Sequence, residues 1–354
     1  MSTPPTQPEP PTAAAEFRPL IGITMGDPAG IGPEVVVKAL ADAELRHRAR
    51  FIIFGGDEPL GFAADLAEVN PYWFRLPHEQ VGPVETGVVV ADFDEFGLVN
   101  PRSHGPTVEG GQASMRYLEA AAERLAAGNL DALVTAPISK VSWKLAGYRF
   151  PGHTEMLAKR FRTRRYVMML AGGRLRVALA SIHLPLFELR NCFTIGLVHT
   201  PIDLLHQALR DWYDLPAPRI AVCGLNPHAS DEGRFGDEEH RIIEPAMTMA
   251  RESGIDVRGP YPADTLFGRA IAGEFDGVVA MYHDQGLIPI KLHAFGRAVN
   301  VTLGLPVIRT SVDHGTAFDI AGRNRADPGS MAEAIRLACH LAIRQRAARQ
   351  SSRS

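Results

Sequence analysis

Short apolar runs alternate along the chain with longer stretches whose apolar side chains recur at helical spacing. Leu20-Ile21-Gly22-Ile23-Thr24 reads as a buried strand, followed by a Gly/Pro turn and a helix from Pro33 to about Ala43. Phe51 to Phe54 is a second strand. Glu109 to Ala127 places Met115, Leu118, Ala122 and Leu125 on one helical face. Strands are predicted at Asp131–Thr135, Arg176–Ile182, Arg219–Leu225 and Gly277–Met281. Helices are predicted at Asp237–Arg251 and from Ser330 to about Arg346. After Met281 the chain reads Tyr282-His283-Asp284, turns at Gly286 and enters another apolar run around Lys291, read as a further strand. The alternation predicts an α/β fold with mostly parallel sheets and flanking helices. No internal repeat and no long polar linker interrupts it.

In open parallel sheets ligands bind beyond the carboxyl ends of the strands. Polar residues gather at those places. Asp27 follows the first strand and Pro137-Ile138-Ser139-Lys140 follows Asp131–Thr135. His183, Asn226-Pro227-His228 and His283-Asp284 follow three others. Five such strand ends point to one constructed cleft.

Composition narrows the class. The chain has 354 residues, enough for two domains or one large α/β unit, with 45% hydrophobic and 22% charged residues. A net charge of -3 lacks the basic excess of a nucleic-acid or anionic-membrane binder. No apolar run is long enough to cross a bilayer. Residues 1–18, rich in Pro, Thr and Ala, read as a disordered tail without the basic start or apolar stretch of a signal peptide. Cys192, Cys223 and Cys339 are scattered among apolar neighbours and read as structural thiols of a reducing cytoplasm.

Several residues carry candidate chemistry. His183, His228 and His283 each stand at or just beyond the end of an apolar strand. Neutral imidazoles are common metal ligands, and three leave a coordination position for substrate; the other reading is three strand-end histidines bonded to backbone. Gly152-His153-Thr154-Glu155 opens a short helix, where Thr154 can cap and an anion can sit. Lys291, Asn300 and Arg309 interrupt runs that look buried. A buried cation needs an anion, supplied by an internal carboxylate or by a bound phosphate or carboxylate, which Arg grips in a bidentate fork. Gly26 to Val35 is a well-made helix start, with Pro33 at a first helical position and Glu34 favouring the helix dipole. Neither it nor any other stretch is a G-x-G-x-x-G fingerprint.

Taken together, GDPAGIGPEV, TAPISK, GHTEML, LNPH, MYHDQG, VNVTLGLP and IRTSVDHGTAFDIAG resemble the 4-hydroxythreonine-4-phosphate dehydrogenase family of pyridoxal phosphate biosynthesis, in order, from about residue 20 to about 345. GIGPEV and HGTAFDIAG are also similar to blocks of isopropylmalate and isocitrate dehydrogenases, which bind NAD(P) without the Rossmann fingerprint. The resemblance implies a two-domain α/β subunit of that kind with an interdomain active-site cleft. Residues 19–140 plus 303–350 would form the first domain, and 141–302 the second, with most metal and substrate ligands. It implies a cytoplasmic homodimer with active sites shared across the interface, and a divalent metal (Zn, Mg or Co) on His183, His228 and His283. Substrate contacts fall on His153, Thr154, Lys291, Asn300 and Arg309, and dinucleotide contacts on Gly315, Thr316 and Asp319. One block departs from the common pattern. After LNPH the chain reads Ala229-Ser230-Asp231-Glu232-Gly233-Arg234-Phe235-Gly236, which looks more like a sister branch acting on D-threonate or D-erythronate 4-phosphate in sugar-acid catabolism.

The implied reaction is NAD(P)-dependent oxidation of a small phosphorylated 3-hydroxy acid to a 3-keto acid that decarboxylates. For 4-hydroxy-L-threonine 4-phosphate the product is 3-amino-2-oxopropyl phosphate. His153 can position substrate or relay a proton, Lys140 is a further proton relay, and Asp284 can orient a liganding imidazole. A non-redox three-His metal lyase would use the same cleft residues, and the two dehydrogenase-like blocks argue against it. No nucleic-acid or membrane partner is expected.

Overall fold

The structure is a computed structural model and describes residues 17–96 and 105–351. Twelve strands form one sheet: β1 (Leu20–Thr24), β2 (Arg50–Gly55), β3 (Trp73–Pro77), β4 (Val88–Asp92), β5 (Ala132–Thr135), β6 (Val167–Gly172), β7 (Leu175–Leu179), β8 (Ile220–Cys223), β9 (Val257–Tyr261), β10 (Gly277–Ala280), β11 (Val299–Leu303) and β12 (Ile308–Val312). Their spatial order is β3-β4-β2-β1-β5-β12-β11-β6-β7-β10-β8-β9.

Direction changes in the middle of this sheet. β1 to β5 and β12 are mutually parallel. Three successive antiparallel pairings follow, β12 with β11, β11 with β6, and β6 with β7. β7 to β10 are again parallel to one another, so they run opposite to the first group. The sheet is thus two parallel halves set head to tail about a reversed seam. The carboxyl ends of β5 and β12 come from one half, and those of β7 and β10 from the other.

Both faces of the seam are buried. Met168 and Leu170 belong to one apolar cluster, with Val177, Leu179, Ala280 and Ile290; Val167, Met169, Val299 and Val301 belong to the other. Alternate residues of one strand therefore feed two cores, as the period of two demands. Helix Val108–Ala126 buries Met115, Tyr117, Leu118 and Leu125. Thr107 starts it, its hydroxyl accepting the Gly110 amide at 2.9 Å. Each fully buried large apolar side chain contributes about 1.5–3 kcal/mol.

The first predicted helix ends early. It spans Gly32–Leu40, and Asp42 caps a second one, Ala43–Arg48, by accepting the Glu44 amide at 2.9 Å. The segment 237–251 opens as a π-turn at Glu239–Ile243 before its α-helix. The larger correction concerns Lys291. The second apolar run is no strand but the rear of a helix, His283–Ala294, with Gly286 and Pro289 inside it. Gly286 makes no turn there. A Cβ on it would lie 2.4 Å from Leu179 and 3.1 Å from Val177, so the missing side chain lets the helix lie close on β7.

Of the expected tail, residues 1–16 lie outside the described residues. Arg18 donates to the carbonyls of Arg46 and Ala49 at 3.0 and 3.2 Å. Cys223 and Cys339 are buried, but Cys192 is exposed, against the apolar setting expected for it; all three are free thiols. No helix among the described residues is long and apolar enough to cross a membrane.

Candidate active site

A cavity of about 340 Å³ opens over the reversed seam. The turn after β5 supplies Pro137, Ile138 and Lys140, and the loop after β12 supplies Asp313, His314 and Gly315. Gly152, His153, Thr154 and Glu155 enter at the start of helix His153–Arg160. Met168, Leu170 and Asn300 form its floor from β6 and β11, while His183 and His283 close the far side from beyond β7 and β10. A larger cavity, about 590 Å³, lies at the opposite ends of β5 and β12, beside Leu130, Asp131, Pro306 and Val307, away from these residues.

Arg309 sets the electrostatics. It is 2% exposed. Its guanidinium donates to Thr302 at 3.0 Å and Thr135 at 2.7 Å, and its Nε has no partner. Among the described residues no carboxylate pairs with it, so the internal-anion reading fails. Burial pulls its pKa down to about 10, opposed only by the more distant Glu155. Asn300 also leaves a buried Oδ1 without a partner. The unneutralised guanidinium calls for an oxyanion, and the orphaned Asn300 Oδ1, an acceptor, calls for a donor such as a hydroxyl; a ligand carrying both groups would complete the cavity.

His153 is held neutral. Burial, then the positive charges of Arg309 and Lys140, keep its pKa well below the ordinary histidine value. Its Nε2 is shielded and unpartnered, and its ring meets Trp143 edge-on at 5.7 Å. Lys140 is exposed at the first turn of helix Lys140–Leu145, which Ser139 caps by accepting the Ser142 amide at 3.0 Å. His314 bonds the Gly315 carbonyl through Nδ1 at 3.0 Å and leaves a buried Nε2 free.

His183 and His283 face one another with ring centroids 5.9 Å apart. They also line a second cavity of about 330 Å³ with Leu184, Leu186 and Tyr282. Asp284 lies 2.7 Å from Nδ1 of His283. A proton on that nitrogen turns the Nε2 lone pair outward, the tautomer a metal requires. Burial, Lys140 and His283 lower the pKa of His183, which favours its neutral, ligating form. Two imidazoles at this separation fit a shared cation. His228 does not join them. It is exposed, at a φ of 55°, and lines neither cavity. Among the described residues no group of three His, Cys, Asp or Glu side chains is placed to hold a metal.

Lys291 also stays outside the cavity, half-exposed on its helix between the exposed Ile288, Leu292 and Phe295. Of the expected dinucleotide loop, Gly315 lines the cavity, and Thr316 packs on the other flanking block by accepting the Ile31 amide at 2.9 Å. Asp319 is exposed. Asp27, the first polar strand end, is fully buried beneath the cleft, accepting from Ser142 at 2.8 Å. Sequence reasoning missed Glu155, Asp313 and His314 as cavity residues, although each stands inside a quoted block beside a residue that was singled out.

The family model described as pyridoxal phosphate biosynthetic protein PdxA matches residues 50–338. The chain belongs to the PdxA family. It is 47% identical to a 4-hydroxythreonine-4-phosphate dehydrogenase of Desulfosudis oleivorans, over 91% of this chain and 95% of the relative. It is 44% identical to a D-threonate 4-phosphate dehydrogenase of Cupriavidus necator, over 94% and 99%. The crystal structure of the 4-hydroxythreonine-4-phosphate dehydrogenase of Klebsiella pneumoniae superposes with a TM-score of 0.80 at 39% identity, over 92% of this chain and 99% of the other. Membership makes this PdxA-family chain a dehydrogenase-type oxidoreductase, and the match to a whole solved chain establishes its α/β fold.

Proposed function

We propose that the chain oxidises 4-hydroxy-L-threonine 4-phosphate with NAD or NADP, in a divalent-metal-dependent reaction. The 3-keto acid formed loses carbon dioxide to give 3-amino-2-oxopropyl phosphate. The observation that carries this reading is Arg309, a cation buried at the cavity wall with two hydroxyls and no carboxylate for company. A phosphate or carboxylate of the substrate supplies the missing anion, Thr154 donates to it, and the free Oδ1 of Asn300 accepts from a substrate hydroxyl. His153, kept neutral, accepts a hydrogen bond or a proton from the substrate hydroxyl. Lys140, at the open rim, exchanges that proton with solvent. Gly315, Thr316 and Asp319 form the dinucleotide side, where the loop abuts the helix start at Ile31.

His183 and His283 would hold the metal, Asp284 fixing the tautomer of His283. When bound, the cation makes the substrate hydroxyl easier to deprotonate. The third ligand would be His228 from a second copy, and Lys291 would likewise reach the neighbouring subunit's substrate. The exposed apolar side chains Ile288, Leu292, Phe295, Leu186 and Phe187 support such a homodimer. We place the domain division at 19–140 plus 303–350 against 141–302, because the cleft lies over the seam between those groups of strands.

The departure at Ala229–Gly236 favours a second reading, oxidative decarboxylation of D-threonate or D-erythronate 4-phosphate. It is motivated also by relatives of both names at similar identity. Both readings are tested by NADH or NADPH formation with 4-hydroxy-L-threonine 4-phosphate and D-threonate 4-phosphate side by side. Turnover of the first alone supports the primary reading, and of the second alone the alternative. Turnover of neither, with metal present, defeats both. The shared site is tested by mixing His228→Ala with His183→Ala subunits: recovered activity supports it, and inert mixtures oppose it.

A further inference from the structure

On the other face of the reversed seam lies a cavity of about 260 Å³ that the proposed reaction does not use. Val299 and Ala171, which line it, are neighbours on their strands of Asn300 and Leu170, which line the active-site cavity. The two cavities therefore lie back to back across β6 and β11. Its remaining polar walls are Arg176, Tyr213, Arg297, Glu333 and His340.

The charges there do not balance. Arg176 stacks its guanidinium over the Tyr213 ring at 4.4 Å, donates to the Asp276 carbonyl at 3.3 Å, and shares the field of the Asp276 carboxylate with Arg219, which bonds that carboxylate directly. Arg297 has no side-chain partner among the described residues. The one carboxylate in the wall, Glu333, is already held by Arg336 at 2.8 Å. The Tyr213 hydroxyl is shielded from solvent, with the Arg176 guanidinium as its polar neighbour, and finds no acceptor for its own proton, a state that costs about 1–3 kcal/mol unless something accepts it. Stacked on the ring, the guanidinium is no acceptor. Two cations, an imidazole and an orphaned hydroxyl donor around one cavity have a common complement, a compact oxyanion.

We propose that this cavity is a second anion site, for a small phosphorylated metabolite or free phosphate, separate from the active-site cleft. Arg176 and Arg297 neutralise the anion, and the Tyr213 hydroxyl donates to it. The proposal stands independently of the reaction assigned above.

The test is calorimetric titration of the full chain with inorganic phosphate, against chloride at equal ionic strength. Three variants accompany it: Arg309→Met, which disables the cleft, and Arg297→Ala and Tyr213→Phe, which touch only this cavity. We expect a class of phosphate sites that survives Arg309→Met, and that weakens about tenfold or more in each of the other two. Arg297 is exposed and Tyr213→Phe removes one atom, so both variants should melt as the parent does. Phosphate binding unchanged in both would overturn the proposal, as would the absence of any class surviving Arg309→Met. A phosphorylated three- or four-carbon acid, titrated in parallel, then separates the two sources: tighter binding than phosphate marks a metabolite site, and equal binding a site for the free ion.

Discussion

Replacing Arg309 by methionine separates an anion-binding cation from a structural one. Methionine is similar in length and apolar, so it fills the site without a new cavity. Removing the charge relieves the cost of burying it. The fall of its pKa to about 10 corresponds to roughly 3 kcal/mol against the charged form, at about 1.4 kcal/mol per tenfold. Against this stand two lost hydrogen bonds from a charged donor to hydroxyls, worth about 1.5–3 kcal/mol each. The terms largely offset, leaving a net loss of about 0–3 kcal/mol. The ligand-free variant should melt within a few degrees of the parent, read by circular dichroism. Activity should not survive so well. Truncating one partner of a buried charge pair costs about 2–5 kcal/mol, so kcat/KM should fall by roughly 30-fold to several thousand-fold, read as NADH formation. Arg309→Lys keeps the charge without the fork and should fall between the two. A variant that loses more than about 4 kcal/mol of stability while keeping its kcat/KM would make Arg309 a structural cation and refute the reasoning.

Four further outcomes are expected. His283→Ala should abolish metal-stimulated turnover while the metal-free protein melts unchanged, and full activity after chelation would remove the metal from the scheme. Gly286→Ala puts a Cβ 2.4 Å from Leu179, so it should cost about 1–3 kcal/mol by overpacking and lower kcat by displacing His283; denaturant unfolding alongside a rate assay measures both. The depressed pKa of His153 means that the unfolded chain takes up a proton near the ordinary value of about 6.5 that the folded chain refuses. Its contribution to stability is therefore full above that pH and lost as pH falls below it. His153→Asn should flatten this acid limb in a series of melts, and an unchanged limb would count against the neutral imidazole. Asp284→Asn keeps the shape but weakens control of the His283 tautomer, so it should raise the metal concentration needed for half-maximal activity about tenfold or more.

The sequence was legible where local pattern and burial agreed. β1, β2, β5, β7, β8 and β10 are apolar runs ending in polar residues, and each was readable from that alone. β3 was not, because Phe74 is 73% exposed and the strand sits at the sheet edge with little apolar contrast. Helix His283–Ala294 was misread because Gly286 and Pro289 are both helix breakers. Close packing on Leu179 and Val177 outweighed propensity there, which no local rule contains. In the site, His153, Thr154, Lys140, His183, His283, Asn300, Arg309 and Gly315 meet around one cavity; all but His183, which was legible as a strand-end histidine, stand in blocks that motif reading isolates. His228 and Lys291 fall outside it, since a place at a strand end or inside an apolar run does not state which way the side chain comes to face. The reversal at the seam was also invisible, because side-chain alternation reads the same in either strand direction.

That reversal makes the cleft sensitive to counting. β11 and β12 are joined by a tight connection at 304–307, and their ladder sets Asn300 opposite Ser311 and Val301 opposite Thr310. Deleting a single residue from that connection would slide one strand past the other by one step and exchange inner for outer side chains along its length. Asn300 would then point toward Tyr213 and Arg297, while Val299 or Val301 met the guanidinium of Arg309. The few atoms of this hairpin thus act as a ruler for the whole pocket, and an indel there should leave every pocket residue in the sequence yet be fatal to the fit between enzyme and anion.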